Sequence, residues 1–153
     1  MDARQKGARY ARIADQLREL FAATPEPGAR MATAAAVLHA KMDGFFWVGW
    51  YLLCGDQLTV GPYQGPLACL VLKPHTGVCW AGIDRAASVI VADVHAFAGH
   101  ISCDPRSRSE IVVPLRDRSG AVVGVLDADS ERAAHFDEVD REGLEAIAAL
   151  VHA

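Results

Sequence analysis

A cysteine in an aperiodic segment is the first candidate for chemistry. The segment from His95 to Arg108 has neither helical nor strand periodicity, so we expect a long ordered loop of the kind that often carries function. Cys103 lies in this loop, where solvent can reach a thiol. His100, Arg106 and Arg108 are close in sequence, and nearby cationic groups favour the reactive thiolate. The alternative is an inert cysteine that fills space inside the loop.

Two carboxylates continue a predicted strand. Asp127 and Asp129 are two residues apart, so on an extended chain their side chains project from the same face. Like charges held close together resist joint ionisation. One member of the pair, or Glu110 beside it, can therefore stay protonated near neutral pH and act as an acid. The alternative is a set of solvated carboxylates at a strand end.

The other three cysteines are Cys54, Cys69 and Cys79, and none of the four forms a Cys-x-x-Cys pair. A chain of 153 residues can fold without disulfide staples, so these thiols are core fillers, metal ligands or redox groups.

Zinc binding is a further interpretation of the same region. Ligand types that zinc accepts occur at His95, His100, Cys103, Asp127 and Asp129. Their spacing matches no known zinc motif, so we expect no metal.

The composition narrows the classes of function. The chain has 15 Lys+Arg and 19 Asp+Glu, a net charge of −4, and no basic tract, which argues against binding to nucleic acid or to an anionic membrane. An apolar run of ten residues, Phe45 to Cys54, is about half of what crosses a bilayer, and the first residues are charged, unlike a signal peptide. We therefore expect a cytoplasmic protein. With 52% apolar residues, the chain is expected to form one domain over residues 1–153.

The elements that must position these residues form an α+β pattern. Helical periodicity predicts two N-terminal helices over about 5–42, interrupted at Pro25 to Gly28, and a C-terminal helix over about 137–152. Short strands and loops fill about 45–130, beginning with an aromatic strand suited to the centre of a sheet. The third strand is predicted over Ala68 to Leu72. Trp47 and Tyr51 share one face of the aromatic strand with Phe45 and Gly49. This aromatic wall is either core or one side of a ligand pocket.

Ordered blocks of sequence then resemble a known family, the free methionine-R-sulfoxide reductases, which are single GAF domains. The blocks run through most of the chain and are Trp47-Val48-Gly49-x-Tyr51, Gly61-Pro62-Tyr63-Gln64-Gly65-x-x-Ala68-Cys69, Gly77-Val78-Cys79, Asp93-Val94-His95, Gly99-His100-Ile101-x-Cys103-Asp104, Ser107-x-Ser109-Glu110-Ile111-Val112-Val113-Pro114 and Gly124-Val125-Leu126-Asp127-x-Asp129-Ser130.

The resemblance implies a GAF fold, in which helices at both ends flank a central antiparallel sheet, and a thiol-dependent reduction of free methionine-R-sulfoxide. It implies that Cys103 is the nucleophile, Cys69 the resolving cysteine and Cys79 a third cysteine able to join disulfide exchange. Substrate-binding roles fall by the same resemblance on Trp47, Tyr51, Glu110, Asp127 and Asp129.

The resemblance also implies partners. No cofactor is bound, and the external reductant is a dithiol protein such as thioredoxin, itself reduced by NADPH through thioredoxin reductase. A homodimer is expected because the terminal helices of this fold commonly pair. Two alternatives stay open: a non-catalytic GAF domain that binds a small ligand, and a redox sensor whose output is a disulfide between Cys69 and Cys103.

Overall fold

A computed structural model describes residues 1–100 and 103–153 of the protein. Ile101, which belongs to one of the motifs above, and Ser102 lie outside the described residues. Within these ranges the order of elements is α1 (Ala3–Phe21), α2 (Pro27–Lys41), β1 (Trp47–Cys54), β2 (Gln57–Gln64), β3 (Val71–Leu72), α3 (Gly77–Arg85), β4 (Val89–Val91), a 3₁₀ turn (Val94–Ala96), β5 (Ser109–Arg116), β6 (Val122–Ser130) and α4 (Glu138–Ala148). The predicted α+β class is confirmed.

The six strands form one antiparallel sheet in the order β3-β2-β1-β6-β5-β4. Its register aligns residues from three strands. Trp47 of β1 pairs with Asp129 of β6, which pairs in turn with Glu110 of β5. Directly paired residues in a sheet point to the same face. One face therefore carries an indole and two carboxyls side by side.

Gly49 makes room for the aromatic wall on this face. A Cβ atom at Gly49 would lie 2.9 Å from the Trp47 ring and 2.8 Å from the Tyr63 Cα, both too close for a real side chain. With glycine there, the Tyr63 ring stacks on Trp47 with centroids 5.3 Å apart. The glycine in the strand thus marks a close approach of neighbouring groups.

Helices cover both faces of the sheet, as predicted for a central aromatic strand. Helices α1, α2 and α4 cover the face to which Val48 and Trp50 point. Helix α3 lies against the other face, where Trp47 and Tyr51 are buried. The prediction that Phe45 shares the face of Trp47 is wrong. Phe45 precedes β1, so strand alternation does not govern it. It packs against Phe136 in the core on the opposite face, beneath α1, α2 and α4.

Two predicted boundaries shift. Helix α4 ends at Ala148, where the Ala149 N–H bonds to both Glu145 and Ile147 and the last turn tightens, so the predicted end near residue 152 is wrong. The predicted strand over Ala68 to Leu72 is reduced to Val71–Leu72.

In the described part of the chain no helix has both the length and the apolarity required to span a membrane.

Buried polar contacts join the first and last helices. The Tyr10 hydroxyl donates to Asp140 at 2.7 Å, and the Lys6 ammonium contacts Asp140 at 2.8 Å and Asp137 at 3.0 Å. Asp137 also caps α4 by accepting from backbone N–H groups in its first turn. Because buried polar groups are costly when unpaired, this network fixes how α4 sits on α1.

Arg30 ties α2 to the end of the chain. Its guanidinium donates to the carbonyl oxygens of five residues at 2.8 to 3.2 Å: Phe21, Thr24, Leu150, Val151 and Ala153. These carbonyls lie at or just beyond the ends of α1 and α4, where i+4 helical partners are lacking. A single cation therefore satisfies acceptors from two separate helix ends.

Arg30→Ala is expected to lower the free energy of unfolding by about 2 kcal/mol, because half-buried carbonyls lose a charged donor. Urea denaturation followed by circular dichroism measures the change. Arg12→Ala, on the exposed side of α1, is the matched control and is expected to shift stability by less than about 0.5 kcal/mol. Equal losses in the two variants would contradict the role given to Arg30.

Candidate active site

A cavity lies between the sheet and α3. Its walls come from the aromatic residues of β1, the carboxyls of β5 and β6, the start of α3, and the loops around Leu67 and Cys103. Its volume is about 70 Å³. A single water needs at least roughly 10–15 Å³, so the cavity is large enough for several waters. That is the room required by a small ligand rather than a chain segment.

Cys69 and Cys103 are joined by a disulfide, with their Cα atoms 5.7 Å apart. Cys103 is exposed and lines the cavity, whereas Cys69 is half-buried. Backbone bonds hold the ends of the Cys103 loop: the Val94 N–H donates to Arg108, and the Arg108 N–H donates to Ser130 at the end of β6. The two ends of the predicted loop are therefore bonded to each other, and the end at Arg108 is also bonded to the sheet.

The Tyr51 hydroxyl donates to the backbone carbonyl of Cys69 at 3.0 Å. The bond lies just before the third strand, which is shorter than predicted. The carbonyl of Cys69 bonds to a side chain, and regular pairing with β2 begins two residues later. The same bond links the wall of the cavity to one end of the disulfide.

The cationic surroundings predicted for Cys103 are only partly present. Arg106 is bound by Asp104, with guanidinium contacts at 2.7 and 3.0 Å, so its charge is largely compensated. This pairing with Arg106 lowers the pKa of Asp104 to about 2. His100 does line the cavity, and burial and the neighbouring His95 lower its pKa. That nearby cations favour the thiolate of Cys103 stays a prediction.

Three carboxyls meet in the cavity wall. Glu110 and Asp127 are 6% and 4% exposed, and Asp129 is half-buried, so they are not solvated strand-end groups. Burial raises the pKa of all three, and the charges of Asp129 and Glu110 raise that of Asp127 further. Buried carboxyls with raised pKa values can hold and donate protons near neutral pH.

The hydrogen bonds of these carboxyls are incomplete. Asp129 accepts from the Ser107 hydroxyl at 3.2 Å, and the Cys79 thiol donates to Glu110 over 3.9 Å. Oδ1 of Asp127 is buried and has no partner among the described residues. A buried acceptor of this kind requires a donor, and a ligand in the cavity can supply one.

Trp47 closes the aromatic side of the cavity. Its ring stacks with that of Tyr51, centroids 5.9 Å apart, and its Nε1 donor is buried without a partner among the described residues. Burial raises the pKa of Tyr51, so this phenol stays neutral. Of the two interpretations of the aromatic wall, the structure supports the pocket.

One group of described residues has spacing compatible with a metal ion. Ligand atoms of Cys79, Glu110 and Asp127 all lie within 4.8 Å of one another. This differs from the set named by residue type, in which His95, His100 and Cys103 were candidates. Burial and the charges of Asp127 and Glu110 raise the pKa of the Cys79 thiol, so the sulfur stays protonated near neutral pH. The expected absence of a metal stays a prediction.

The structure brings together every residue named by the resemblance. Cys103, Cys79, Trp47, Tyr51 and the three carboxyls line one cavity, and Cys69 is joined to Cys103 beside it. Sequence reasoning missed Ser107 as the partner of Asp129, since the two are 22 residues apart. It also missed the start of α3, where Thr76 to Val78 line the cavity. No local pattern signals either contact.

Comparisons with known proteins identify a family and several similar proteins. A model of the GAF domain family matches residues 8–153. The free methionine-R-sulfoxide reductase of Escherichia coli is 37% identical over 140 residues, covering 92% of this chain and 84% of that protein. The X-ray structure of the free methionine-R-sulfoxide reductase from Neisseria meningitidis in complex with its substrate has a TM-score of 0.91 and 42% identity, covering 99% of this chain and 89% of that one. A putative GAF sensor protein from Burkholderia vietnamiensis has a TM-score of 0.91 and 41% identity, covering 96% and 93%.

The raised carboxyl pKa values make stability depend on pH. Near neutral pH the folded protein holds protons that the unfolded chain has released, so stability falls as pH rises from the usual carboxyl range through the raised values. Asp129→Asn removes a charge that raises the pKa of Asp127. The variant is expected to gain about 1 kcal/mol over the natural protein at pH 8, and less at pH 5.

Urea denaturation at the two pH values measures this difference. Asp56→Asn, in the exposed turn after β1, removes the same formal charge and is expected to show no such pH-dependent gain. An Asp129→Asn variant with the same change at both pH values would contradict the coupling between the carboxyls.

Proposed function

Because the chain belongs to the GAF domain family and, within it, to the free methionine-R-sulfoxide reductases, we propose that it reduces free methionine-R-sulfoxide to methionine. The observation that carries this proposal is the shared cavity. A cysteine that can serve as nucleophile, Cys103, and buried carboxyls with raised pKa values line the same small space. Thiol reduction of a sulfoxide needs these two groups together.

Cys103 attacks the sulfoxide sulfur in the first step. The thiolate forms a bond to the sulfoxide sulfur, and a proton is delivered to the sulfoxide oxygen. The hydroxyl then passes to the cysteine sulfur: the new S–O bond at Cys103 forms while the S–O bond of the substrate and the S–S bond of the adduct break. Methionine leaves and Cys103 becomes a sulfenic acid, so the oxygen has moved from one sulfur to the other. Two electrons have passed from Cys103 to the substrate.

The proton comes from the carboxyl cluster. Sulfoxide oxygen becomes a leaving group only when it is protonated or strongly hydrogen-bonded. Glu110 and Asp127 are buried, and their raised pKa values keep a proton available near neutral pH. A carboxyl in this cluster that has lost its proton pairs instead with the substrate's ammonium group. One cluster thus supplies both an acid and an anion.

This arrangement accounts for selectivity toward the free amino acid. A methionine sulfoxide within a protein has no free ammonium at that residue, and the cavity is small, with a volume of about 70 Å³. Trp47 offers an apolar ring to the S-methyl group. With the methyl against the indole and the oxygen at the carboxyls, only one sulfoxide epimer presents its sulfur to Cys103.

Cys69 resolves the sulfenic acid. Its thiol attacks the sulfur of Cys103, water leaves, and the two cysteines become a disulfide. The Cα separation of 5.7 Å is within the ordinary range for such a bond. Cys79 is a poorer candidate for this step because burial and two neighbouring carboxylates raise its pKa, which leaves it a thiol. It remains available for later exchange.

The cycle requires an external reductant. A dithiol protein such as thioredoxin transfers two electrons to the disulfide, which restores both thiols, and NADPH supplies these electrons through thioredoxin reductase. The exposure of Cys103 supports access by such a protein. From this chemistry we propose a cytoplasmic location and a role in oxidative stress. We also propose a homodimer, for which the outer sides of α1, α2 and α4 offer surface.

A redox sensor is the second candidate because the disulfide between Cys69 and Cys103 would itself be its output. That function does not use the buried carboxyls or the indole of Trp47. Catalytic turnover of the sulfoxide therefore separates the two functions, and it also excludes a non-catalytic ligand-binding domain.

Replacement of Cys103 tests the nucleophile. Cys103→Ser is expected to lower kcat/KM by about 10³-fold or more, because a serine hydroxyl is a far weaker nucleophile at neutral pH. NADPH oxidation in the presence of thioredoxin, thioredoxin reductase and free methionine-R-sulfoxide measures this. Cys54→Ser, at the exposed end of β1, is the matched control and should keep its activity. Absence of turnover by the natural protein, or turnover of the S epimer at the same rate, would overturn the proposal.

Replacement of Cys69 tests resolution. Cys69→Ser is expected to release one methionine per protein chain in a single turnover, because attack by Cys103 does not need the second thiol. Multiple turnovers with thioredoxin should then fail, and dimedone should label the persistent sulfenic acid at Cys103. Rapid quench with mass spectrometry measures both. If Cys69→Ser cycles normally and Cys79→Ser does not, the resolving role belongs to Cys79.

A further inference from the structure

Exposed apolar side chains cluster around Cys69. The described residues include five large hydrophobic side chains that are exposed, and three of them lie within residues 67–71. Leu67 is 86% exposed, Leu70 73% and Val71 47%. Apolar side chains that are exposed singly need no explanation, but a contiguous group marks a site of interaction. We call these three residues the 67–71 surface.

The backbone holds this surface in place. The Tyr51 hydroxyl bonds to the carbonyl of Cys69, and the N–H of Val60 bonds to the carbonyl of Leu70 at 2.9 Å. Cys69 is also covalently attached to Cys103. Leu70 is thus held in its exposed position by main-chain contacts and by the neighbouring disulfide in this oxidised state.

The position of the disulfide determines what must approach this surface. A thiolate reduces a disulfide only by direct attack on one sulfur, through a mixed disulfide. A protein reductant must therefore lay the surroundings of its own cysteine over the surroundings of Cys69 and Cys103. Residues next to Cys69 lie inside that footprint whichever sulfur is attacked.

We propose that the 67–71 surface is the docking surface for the dithiol protein that reduces the Cys69–Cys103 disulfide, with apolar residues around the partner's reactive cysteine packing on Leu70 and Val71. The inference rests on the proposed function, which requires that disulfide to be reduced in every cycle. Val71 of this surface belongs to β3, which lies at one edge of the sheet, so no further strand covers the surface from that side among the described residues.

The size of the surface favours a transient partner. A stable interface buries roughly 800 Å² on each protein, which three aliphatic side chains cannot provide. Redox partners associate through smaller interfaces, because each encounter must end as soon as electrons are transferred. A second copy of this chain would require a larger apolar area than the 67–71 surface offers.

The test measures disulfide reduction by itself, without sulfoxide. Protein oxidised to the Cys69–Cys103 disulfide is mixed with reduced thioredoxin, quenched with an alkylating agent and analysed by intact mass. Leu70→Ser is expected to lower the second-order rate constant about five- to tenfold, through loss of apolar contact. Reduction of the same variant by dithiothreitol should be unchanged, since a small dithiol needs no docking surface. Leu67 is not replaced in this test, because it lines the cavity and its loss would also change the candidate active site.

Two further variants make the result specific. Leu20→Ser, on the exposed side of α1, removes a comparable exposed leucine elsewhere and should react with thioredoxin at the natural rate. Leu70→Met keeps an apolar side chain and should also keep that rate. Equal rates for Leu70→Ser and the natural protein, or an equal loss with dithiothreitol, would overturn the proposal.

Light scattering tests the alternative that a second copy of this chain binds the 67–71 surface. If Leu70→Ser changes the oligomeric state, the surface joins copies of the chain, and the proposal is overturned. Failure of the proposed function is seen separately, as absence of sulfoxide turnover with dithiothreitol as reductant. Thioredoxin docking is measured on the disulfide alone and does not depend on that result.

Discussion

The register between β1, β6 and β5 brings together carboxyl groups that repel one another when ionised, beside an apolar indole. Trp47, Asp129 and Glu110 share one row across three strands, and Asp127 lies in the next row opposite Gly49. In a sheet, residues two apart on one strand must share a face, and paired residues must share it too. Three carboxyls and an indole are therefore placed side by side by backbone hydrogen bonds. The cavity, its raised pKa values and its chemistry all depend on this pairing.

The remaining elements complete the site around that row. Gly82 of α3 lets the helix lie close to the sheet, because a Cβ there would be 2.7 Å from a methyl of Val112. The close helix covers the carboxyls and excludes water from them, which raises their pKa values. The loop that carries Cys103 is held at Arg108 to the end of β6. The same strand thus orders the carboxyls and the anchor of the thiol loop.

Predictions from the sequence succeeded where the signal is local. The two-residue spacing of Asp127 and Asp129 predicts a shared face, and helical periodicity predicts α1 and α2. They were incomplete where side-chain contacts, near or distant in sequence, decide the outcome. Arg106 pairs with Asp104, and regular pairing of the third strand begins only after Cys69, whose carbonyl accepts from Tyr51. Phe45 was misplaced because alternation was extended beyond the first residue of β1.

Burial was the other property that periodicity did not reveal. Solvated and buried carboxyls have the same spacing in a strand, and only α3 distinguishes them. The ordered motifs supplied the missing information about Glu110, Cys69 and Cys79, because a resemblance carries the result of three-dimensional packing that spacing does not contain.

The bond from the Tyr51 hydroxyl to the Cys69 carbonyl has an evolutionary consequence. Tyr51 stacks on Trp47 at the wall of the cavity, and it also fixes the backbone of a cysteine in the disulfide. Replacement of this side chain by a smaller one would alter both the shape offered to a ligand and the support of the second thiol's backbone. Ligand preference and thiol recycling are thus linked through one side chain. A substitution at a pocket position that does not bond to the disulfide's backbone, such as Ser107, would leave this link intact.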